Sequence, residues 1–444
     1  MSPLRKASRS GRGGRALALA LRALAVLYLV AISAAILAYK AAFLDVVTVD
    51  PFFAAYGLLV CAYILSRFAI SLFYRPGEDH GIEPRVAIVM PAFNEEDAVA
   101  RSIRSLLDVA YPSDRLEIVV VDDGSTDGTR EEIARVADRE PRVQVIAFPE
   151  NRGKRAAMAA GIRATTAEIV AFVDSDSSLE PDALRILVQG FADPQIGAVA
   201  GHADVGNVEE SLLSRMQEVR YYVAFRVLKA AESVFSAVTC CSGCFAAYRR
   251  AAILPHLEAW EHQRFLGRPA TFGDDRSLTN YVLRDWKVIY EARAVSHTIV
   301  PPTFRKFLVQ QVRWKRSWTR ESLIVGGFIW RKHPVMALST YAGIVLPLLA
   351  PIAAGRALLW RPLVQDTGLP VLYLLGIYAM ALLYGLYYAA RHSTYDTPWI
   401  FGVLFVFFYL AFLVWQTYYA LATANRSDWG TRPSTRAPPA GAVT

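Results

Sequence analysis

The stretch that decides the fold class is LEIVVVDDGS, residues 116–125. Its apolar beginning is typical of a strand buried on both faces, and its acidic turn marks the carboxyl end of that strand. Similar apolar runs alternate with helix-patterned segments through residues 84–300. The runs lie at 85–90, 116–121, 143–148 and 169–173, and the helical segments at 96–107, 127–138 and 154–165. This alternation predicts an α/β domain with a doubly wound, mostly parallel sheet.

Long apolar segments flank this domain on both sides. A hydrophobic content of 54% and a mean hydropathy of +0.27 are higher than in ordinary soluble enzymes. A stretch of about 20 apolar residues can span a bilayer. Such stretches lie at 16–39, 52–73, 335–360, 370–390 and 399–424. Pro347 and Pro351 predict a break within the third of them, at which the segment would kink or re-enter.

These segments divide the chain into six predicted regions. They are a basic cytoplasmic tail (1–15), two transmembrane helices (16–74), the cytoplasmic α/β domain (84–300), an amphipathic interface segment (301–332), three apolar membrane segments (335–424) and a polar tail (425–444). We therefore predict a multi-pass protein of the plasma membrane whose α/β domain faces the cytoplasm.

Positive charge is concentrated beside the apolar segments. The net charge is +8, and residues 302–332 carry eight basic residues against one acid, Glu321. Cytoplasmic loops with this bias face anionic lipid, so the predicted partner is the lipid bilayer and not nucleic acid. Amphipathic helices at 209–233 and 304–329 are predicted to pack either on the domain or on the membrane interface. The four cysteines lack paired metal-ligand spacing and are predicted to be reduced packing thiols.

Two carboxylates, Asp174 and Asp176, follow the fourth apolar run. The chain turns at the end of a strand, so both side chains can converge there. Carboxylate oxygens suit a hard divalent cation that also carries a diphosphate, and ligands bind at the carboxyl ends of strands in sheets of this class. This pattern predicts a metal and nucleotide site, with an exposed acidic loop as the alternative.

Polar residues also follow the first two runs and open the third helical segment. Asp122 and Asp123 are candidates for hydrogen bonds to a base or ribose, with a plain Asp-Gly turn as the alternative. Lys154 and Arg155 at a helix start predict an anion site, because free N–H groups and the helix dipole favour phosphate. The candidate nucleotide-sugar-binding set also includes Pro91, Asn94, Glu95 and Asp174. The sequence contains neither GxxxxGK[ST] nor GxGxxG, which excludes P-loop and dinucleotide-binding motifs.

A second pair of carboxylates lies in GDDR, residues 273–276. Asp275 is a candidate general base that removes the proton of an attacking hydroxyl, and Asp274 is a candidate for orienting it. The alternative for Asp274 is the N-cap of a helix that follows.

The run QQVRW, residues 310–314, combines a cation with an aromatic ring. Arg313 can grip a diphosphate through two parallel hydrogen bonds, and Trp314 can stack on the apolar face of a sugar. The alternative is a Trp/Arg belt at the membrane interface. We predict that Arg316, Trp318 and Arg320 belong to such a belt.

Four motifs in this order make the chain resemble the processive family 2 glycosyltransferases. They are VDDGS at 121–125, DSD at 174–176, GDD at 273–275 and QxxRW at 310–314. The resemblance covers residues 84–330 and implies a GT-A domain inserted between N-terminal and C-terminal transmembrane helices. Within the family the chain is similar to hyaluronan, chitin-oligosaccharide and chitin synthases. This similarity rests on CSGCFAAYR at 241–249, GDDRSLTNY at 273–281 and WGTR at 429–432.

The resemblance implies a role for each motif. Asp174 and Asp176 would hold Mn²⁺ or Mg²⁺ on a UDP-sugar donor, and Asp275 would be the base. The residues implied to bind UDP are Asp122, Asp123 and Lys154. The residues implied to hold the growing polysaccharide acceptor and the diphosphate are Gln310, Arg313, Trp314, Trp429, Thr431 and Arg432.

The implied activity is a processive, inverting hexosyltransfer that makes an extracellular polysaccharide and exports it through the protein's own channel. The implied donors are UDP-GlcNAc and UDP-GlcA, as in hyaluronan synthesis. A chitin-type enzyme that uses UDP-GlcNAc alone is the alternative in the same class, and a non-catalytic nucleotide-sugar-binding membrane protein is the alternative in another. Two spans before the domain and three after it would place WGTR outside the cell. A re-entrant segment at 335–360, or one apolar stretch that is really two elements, would resolve that conflict, and a chance match of WGTR is the alternative.

Overall fold

The computed structural model describes residues 51–365, 371–391 and 400–426, together with isolated positions between 27 and 38. The predicted span at 16–39 and the tail residues Trp429, Thr431 and Arg432 fall outside the continuously described parts. The chain divides into two compact units. Residues 1–65 with 352–410 form one, and residues 66–351 with 411–444 form the other.

The strands and main helices are labelled here in chain order. The strands are β1 Val86–Ala92, β2 Leu116–Asp122, β3 Val143–Ala147, β4 Ile169–Phe172, β5 Ser177–Leu179, β6 Ile196–Val205, β7 Ala246–Arg249, β8 Arg264–Phe265, β9 Arg268–Pro269 and β10 Lys287–Thr298. The helices are α1 Pro51–Ser71, α2 Val99–Leu107, α3 Thr129–Ala137, α4 Lys154–Ala164, α5 Ala183–Val188, α6 Leu212–Val223, α7 Asp274–Asp285, α8 Phe304–Gly326, α9 Pro334–Gly355, α10 Val371–Arg391, α11 Ile400–Phe408 and α12 Gln416–Ala422.

One eight-stranded sheet organises the α/β domain, in the order β3-β2-β1-β4-β7-β6-β10-β5. The four predicted strands β1 to β4 are confirmed, and they are parallel neighbours. Parallel pairing recurs between β6 and β10, but the prediction of a mostly parallel sheet is confirmed only in part. Strand β7 runs antiparallel to both β4 and β6, and β5 runs antiparallel to β10, so the sheet is mixed.

Alternate residues of the central strands point into two separate cores, one on each face of the sheet. On one face, Val89 and Val119 pack with Ala157 and Ile162 of α4. The other face is formed by Ile88, Ile118, Ile103 of α2, Ile133 of α3 and Leu184 of α5. Helices on both faces explain why β1 and β4 are continuously apolar and β2 nearly so.

The predicted helix at 209–233 begins later and changes pitch. Helix α6 begins after Ser211, whose hydroxyl accepts a hydrogen bond from Ser214 N at 3.0 Å. A π-helical turn at Ala224–Lys229 follows it, and an α-helical turn at Ala230–Ser233 ends the segment. Met216, Val219 and Tyr222 of α6 are buried, which favours packing on the domain over lying on a membrane surface.

Among the described residues, one helix is long and apolar enough to cross a bilayer, Pro334–Val364. Pro347 and Pro351 lie inside it. The helix is continuous through both prolines, and a kink or re-entry of this segment in a membrane stays a prediction. Each proline removes one backbone donor, and a long apolar helix can continue through it. The predicted spans at 52–73 and 370–390 coincide with α1 and α10, of 21 residues each, and their insertion into a membrane stays a prediction.

The sharp bend lies instead in the last apolar segment. Ile400–Leu413 and Gln416–Ala422 meet at 49°, and only the two together would make a second candidate span. A π-helical turn at Tyr409–Leu413 precedes the bend. The Lys315 ammonium of α8 donates to the Leu413 carbonyl oxygen and, at 3.1 Å, to Thr417 Oγ1. Lys315 thus satisfies a backbone acceptor on one side of the bend and a hydroxyl on the other.

Candidate active site

Three groups of predicted site residues, those that follow β1, β2 and β4, meet at one edge of the sheet. Strand β1 pairs in parallel with β2 on one side and with β4 on the other, so their carboxyl ends are neighbours. Asn94 N donates to Ser125 Oγ at 3.1 Å, and Glu95 N donates to Thr129 Oγ1 at 2.7 Å. These bonds join the loop after β1 to the loop after β2, and the space between the loops at this edge of the sheet is called the cleft below.

The Lys154 ammonium links two acidic motifs that are distant in sequence. Its Nζ lies 2.5 Å from Asp174 Oδ1 and 3.8 Å from Asp274 Oδ2. Burial disfavours the charged amine, but the negative charges of Asp174, Asp274 and Asp275 outweigh it and raise the pKa of Lys154. The DSD and GDD motifs therefore line one cleft and share one cation.

Asp176 lies in a crowded negative environment. Burial raises the pKa of its carboxyl to about 7, helped by the charges of Asp174 and Glu95. A Cβ on Gly243 would lie 3.0 Å from both carboxylate oxygens of Asp174, so glycine keeps the space beside them open. Grouped carboxylate oxygens with open space beside them are the donor set of a hard divalent cation. Asp174 and Asp176 thus have the donor chemistry that the predicted Mn²⁺ or Mg²⁺ site requires, and metal binding by them stays a prediction.

Asp275 lies near the start of α7 and is half-buried. Its Oδ1 accepts a hydrogen bond from Arg276 N at 2.7 Å, and its Oδ2 lies 3.6 Å from Cys240 Sγ. All four cysteines are free thiols, as predicted. Burial, with a contribution from Asp275, raises the pKa of Cys240 to about 11, so this neighbour is neutral at physiological pH. The Asp275 carboxylate is positioned by its own helix start and lies beside an uncharged side chain.

Asp274 and Arg155 lie beneath this cleft. Asp274 is 5% exposed, and burial raises its pKa against the opposing effect of Lys154. It is the first residue of α7, and the predicted N-cap role belongs to Gly273. Arg155 is 4% exposed and donates to the Trp260 carbonyl oxygen at 2.8 Å. The prediction that Arg155 binds a nucleotide sugar is therefore wrong, because its guanidinium is directed into the protein.

Two further predicted ligands are interior residues. Asp122 is fully buried and accepts hydrogen bonds from Arg130 Nε at 2.7 Å and Ser125 N at 3.0 Å. Pro91 is buried within β1, opposite Val121. Both side chains lie inside the domain, and contact of either residue with a nucleotide stays a prediction.

The Asp123 carboxylate binds the loop that precedes α4. Its carboxylate accepts hydrogen bonds from Arg152 N at 2.8 Å and from Gly153 N at 3.0 Å, and it lies 3.1 Å from Asn151 Nδ2. These contacts hold the loop that places Lys154 at the first position of the helix. Direct contact between Asp123 and a nucleotide stays a prediction.

Helix α8 contacts the residue before the GDD motif through Arg320, which was predicted to lie in a belt at the membrane interface. Arg320 is 1% exposed, lies 2.8 Å from Glu321 Oε1 through its Nε and donates to the Phe272 carbonyl oxygen. Arg316 is 5% exposed and donates to Thr423 Oγ1 at 3.0 Å. The prediction that Arg316 and Arg320 form an interfacial belt is wrong, because both are buried in the protein.

The QxxRW residues lie earlier on α8. Gln310, Arg313 and Ser317 follow helical spacing, so they share a face with Arg320, which contacts the residue before Gly273. The buried Gln310 Oε1 has no hydrogen-bond partner among the described residues. Trp314 is 36% exposed, and the Arg220 guanidinium lies 5.3 Å from its ring centroid. An orphaned buried acceptor beside a half-exposed ring is suited to binding a ligand.

The Arg320–Glu321 pair was not predicted from the sequence, and no roles were predicted within the loop Cys240–Cys244. One signal for the pair was present: Glu321 is the single acid in a strongly basic segment, which is typical of a buried partner. For the loop, the similarity of CSGCFAAYR at 241–249 to the related synthases was the available signal. Its contacts with Asp174 and Asp275 depend on packing that no local pattern encodes.

The close packing of α8 against Gly273 gives a testable prediction. Its φ is +75°, and a Cβ there would lie 1.8 Å from Ser317 Oγ. We expect Gly273→Ala to cost about 1–2 kcal/mol in backbone strain and more from the clash, with loss of glycosyl transfer. Gly267→Ala is the matched control, because φ is +79° there and nothing lies within 4 Å of its Cβ position. Thermal unfolding and activity in detergent measure both; equal effects would contradict this account.

Comparison with known proteins identifies the family. Residues 87–254 match the family described as Glycosyl transferase family 2. A hyaluronan synthase of Streptococcus pyogenes is 33% identical over 384 residues, which cover 85% of this chain and 90% of that protein. The chain belongs to glycosyl transferase family 2. This glycosyltransferase is also 32% identical to an N-acetylglucosaminyltransferase of Rhizobium meliloti, over 85% of the chain and 90% of the relative.

A solved structure supports the GT-A-like fold of this glycosyltransferase. The mannosyltransferase PcManGT from Pyrobaculum calidifontis, in complex with GDP-Man and Mn²⁺, aligns with a TM-score of 0.54 and 24% identity. The alignment covers 80% of this chain and 99% of the mannosyltransferase. The predicted resemblance to family 2 and the predicted enzyme class are confirmed.

Proposed function

We propose that this glycosyltransferase polymerises UDP-sugars processively into an extracellular polysaccharide and exports it through a channel of its own membrane helices. The main support for this proposal is the position of Lys154 between two acidic motifs. Its Nζ lies 2.5 Å from Asp174 Oδ1 and 3.8 Å from Asp274 Oδ2. The proposed donor carboxylates and the proposed base motif thus border the same cleft. One catalytic centre can hold a donor sugar and present an acceptor hydroxyl to it.

The residues of the cleft divide the chemistry between them. Asp174 and Asp176 would hold Mn²⁺ or Mg²⁺, which when bound supplies positive charge to the diphosphate of the donor. Asp275 accepts the proton of the acceptor hydroxyl while its oxygen bonds to the anomeric carbon and the bond from that carbon to UDP breaks. Arg313 stabilises the departing diphosphate, and Gln310 and Trp314 hold the acceptor end. Attack opposite to the leaving UDP inverts the anomeric centre.

Hyaluronan-type synthesis from UDP-GlcNAc and UDP-GlcA is the proposed specificity. The identity to a hyaluronan synthase over 85% of the chain supports it. A product made from UDP-GlcNAc alone is the second candidate, supported by the similar identity to the rhizobial N-acetylglucosaminyltransferase. In both cases the catalytic domain lies in the cytoplasm beside a multi-pass membrane part in the plasma membrane.

The deciding experiment uses the full chain purified in detergent. UDP release and polymer size are measured with Mn²⁺ or Mg²⁺ and with each UDP-sugar, singly and in pairs. Polymer only from UDP-GlcNAc with UDP-GlcA supports the hyaluronan type. Polymer from UDP-GlcNAc alone overturns the hyaluronan type and supports the chitin type. UDP release without polymer overturns processive synthesis.

Asp174→Ala tests the proposed metal site. We expect a rate loss of at least about 10²-fold, because the cation loses a ligand and its charge stabilisation with it. Binding of Mn²⁺ to the EDTA-stripped protein, followed by paramagnetic resonance, should weaken in parallel. Asp182→Ala is the control, since Asp182 is exposed at the start of α5. Unchanged Mn²⁺ binding by Asp174→Ala would remove the metal from this position.

A further inference from the structure

The loop Cys240–Cys244 connects the two carboxylate centres of the cleft. At one end, Cys240 Sγ lies 3.6 Å from Asp275 Oδ2. At the other, the Cβ position of Gly243 lies 3.0 Å from both carboxylate oxygens of Asp174 and 3.2 Å from Lys154 Nζ. A displacement of this loop would therefore change the space beside the proposed metal ligand and the surroundings of the proposed base together.

One buried cation holds the middle of this loop. The Lys229 ammonium donates to the Cys240 carbonyl oxygen and, at 2.8 Å, to Ser242 Oγ. Its Nζ also lies 4.6 Å from the ring centroid of Phe225. Lys229 is 9% exposed and ends the π-helical turn Ala224–Lys229. Burying an ammonium is costly unless its donors are satisfied, and here two of them are used on the loop.

The far side of the loop is fixed to the helix of the proposed base. Cys241 N donates to Thr279 Oγ1 at 2.9 Å, and Thr279 Oγ1 donates to the Asp275 carbonyl oxygen at 2.7 Å. Lys229 thus binds Cys240 and Ser242 of the loop, and Thr279 binds Cys241 between them. A chain of contacts runs from Lys229 through the loop to Asp275, and a second runs through Gly243 to Asp174.

We propose that Lys229 is a positioning residue that sets the alignment of donor and acceptor by fixing the loop Cys240–Cys244 between Asp174 and Asp275. This inference rests on the proposed function of the cleft. Lys229 touches neither substrate in this role. Its loss misplaces the acceptor hydroxyl relative to the donor, whereas water, which needs no such alignment, still reaches the donor sugar.

The test compares glycosyl transfer with donor hydrolysis in the full chain in detergent. For Lys229→Met we expect transfer to fall about 100-fold while hydrolysis changes by less than about threefold, because a small misplacement penalises only the aligned reaction. Lys229→Arg should recover most of the transfer. Lys332→Met is the matched control, because Lys332 Nζ donates to a carbonyl oxygen, that of Trp286 at 3.2 Å, away from the loop.

Ser242→Ala provides a second variant in case Lys229→Met does not fold, since it removes one of the two acceptors and should shift the same ratio by a smaller factor. Equal losses of transfer and hydrolysis, or no loss, would overturn the positioning role. Failure of the proposed function is a separate result, because wild-type protein would then form no polymer. The ratio of glycosyl transfer to donor hydrolysis would in that case be measured with the glycosyl acceptor that the wild-type protein uses.

Discussion

Replacing Asp275 with asparagine should lower glycosyl transfer by about 10²–10⁴-fold, the usual contribution of a general base. Asparagine preserves the shape of the side chain and can still accept the hydrogen bond from Arg276 N that positions Oδ1 at 2.7 Å. It cannot take the proton of an acceptor hydroxyl. The expected defect is therefore in the rate of the chemical step, with the affinity for UDP unchanged.

Asp285→Asn is the matched control for this experiment. Asp285 ends the same helix α7 and is exposed, so the same change of charge occurs on the same element away from the cleft. Turnover is measured as UDP release and polymer mass, and UDP affinity as the protection of the protein against thermal unfolding. Full activity of Asp275→Asn would show that another group accepts the proton.

The parallel half of the sheet could be predicted because β1, β2 and β4 are nearly continuous apolar runs that end in polar residues, and β3 follows in the same alternation of strands and helices. Parallel strands place those ends at one edge, so the positions of Asp174 and Glu95 could be predicted from the pattern alone. The second half of the sheet was not predicted. Strand β6 contains two glycines and a histidine, and β7 has only four residues, so neither presents a clear apolar run.

The candidate site was predicted best where a side chain follows a strand and worst where helices pack on each other. Arg155 and Lys154 are adjacent at a helix start, yet one side chain points to the core and the other to the cleft. The direction of each depends on what packs against α4, including Trp260, which is more than 90 residues away in sequence. The buried state of Arg320 likewise depends on Phe272.

Removing one partner of the buried pair Arg320–Glu321 should have the largest effect on stability. Both side chains are 1% exposed, and Arg320 Nε lies 2.8 Å from Glu321 Oε1. Glu321→Leu would leave the guanidinium buried without its counter-charge, and such losses cost about 3–5 kcal/mol. It would also remove one of the two acceptors of Asn280 Nδ2 on α7, the carboxylate oxygen at 3.0 Å, and leave the backbone carbonyl oxygen at 3.1 Å. Unfolding by denaturant in detergent measures the change.

The double variant Arg320→Met with Glu321→Leu separates stability from positioning. A buried pair replaced by apolar side chains of similar volume often recovers the stability that a single removal costs, because no uncompensated charge remains. The double variant nevertheless lacks the hydrogen bond from Arg320 to the Phe272 carbonyl oxygen, which holds the residue before Gly273. We therefore expect restored stability with transfer still impaired.

An exposed ion pair sets the baseline for this comparison. Arg163 lies 3.3 Å from Glu258, whose side chain is 79% exposed, and Glu258→Leu should cost no more than about 1 kcal/mol. A double variant as unstable as Glu321→Leu alone would show that shape, and not charge, dominates at the pair. A stable double variant with full activity would show that α8 needs no polar link to the GDD motif, because apolar packing of α8 against α7 would then suffice to align QxxRW with Asp275.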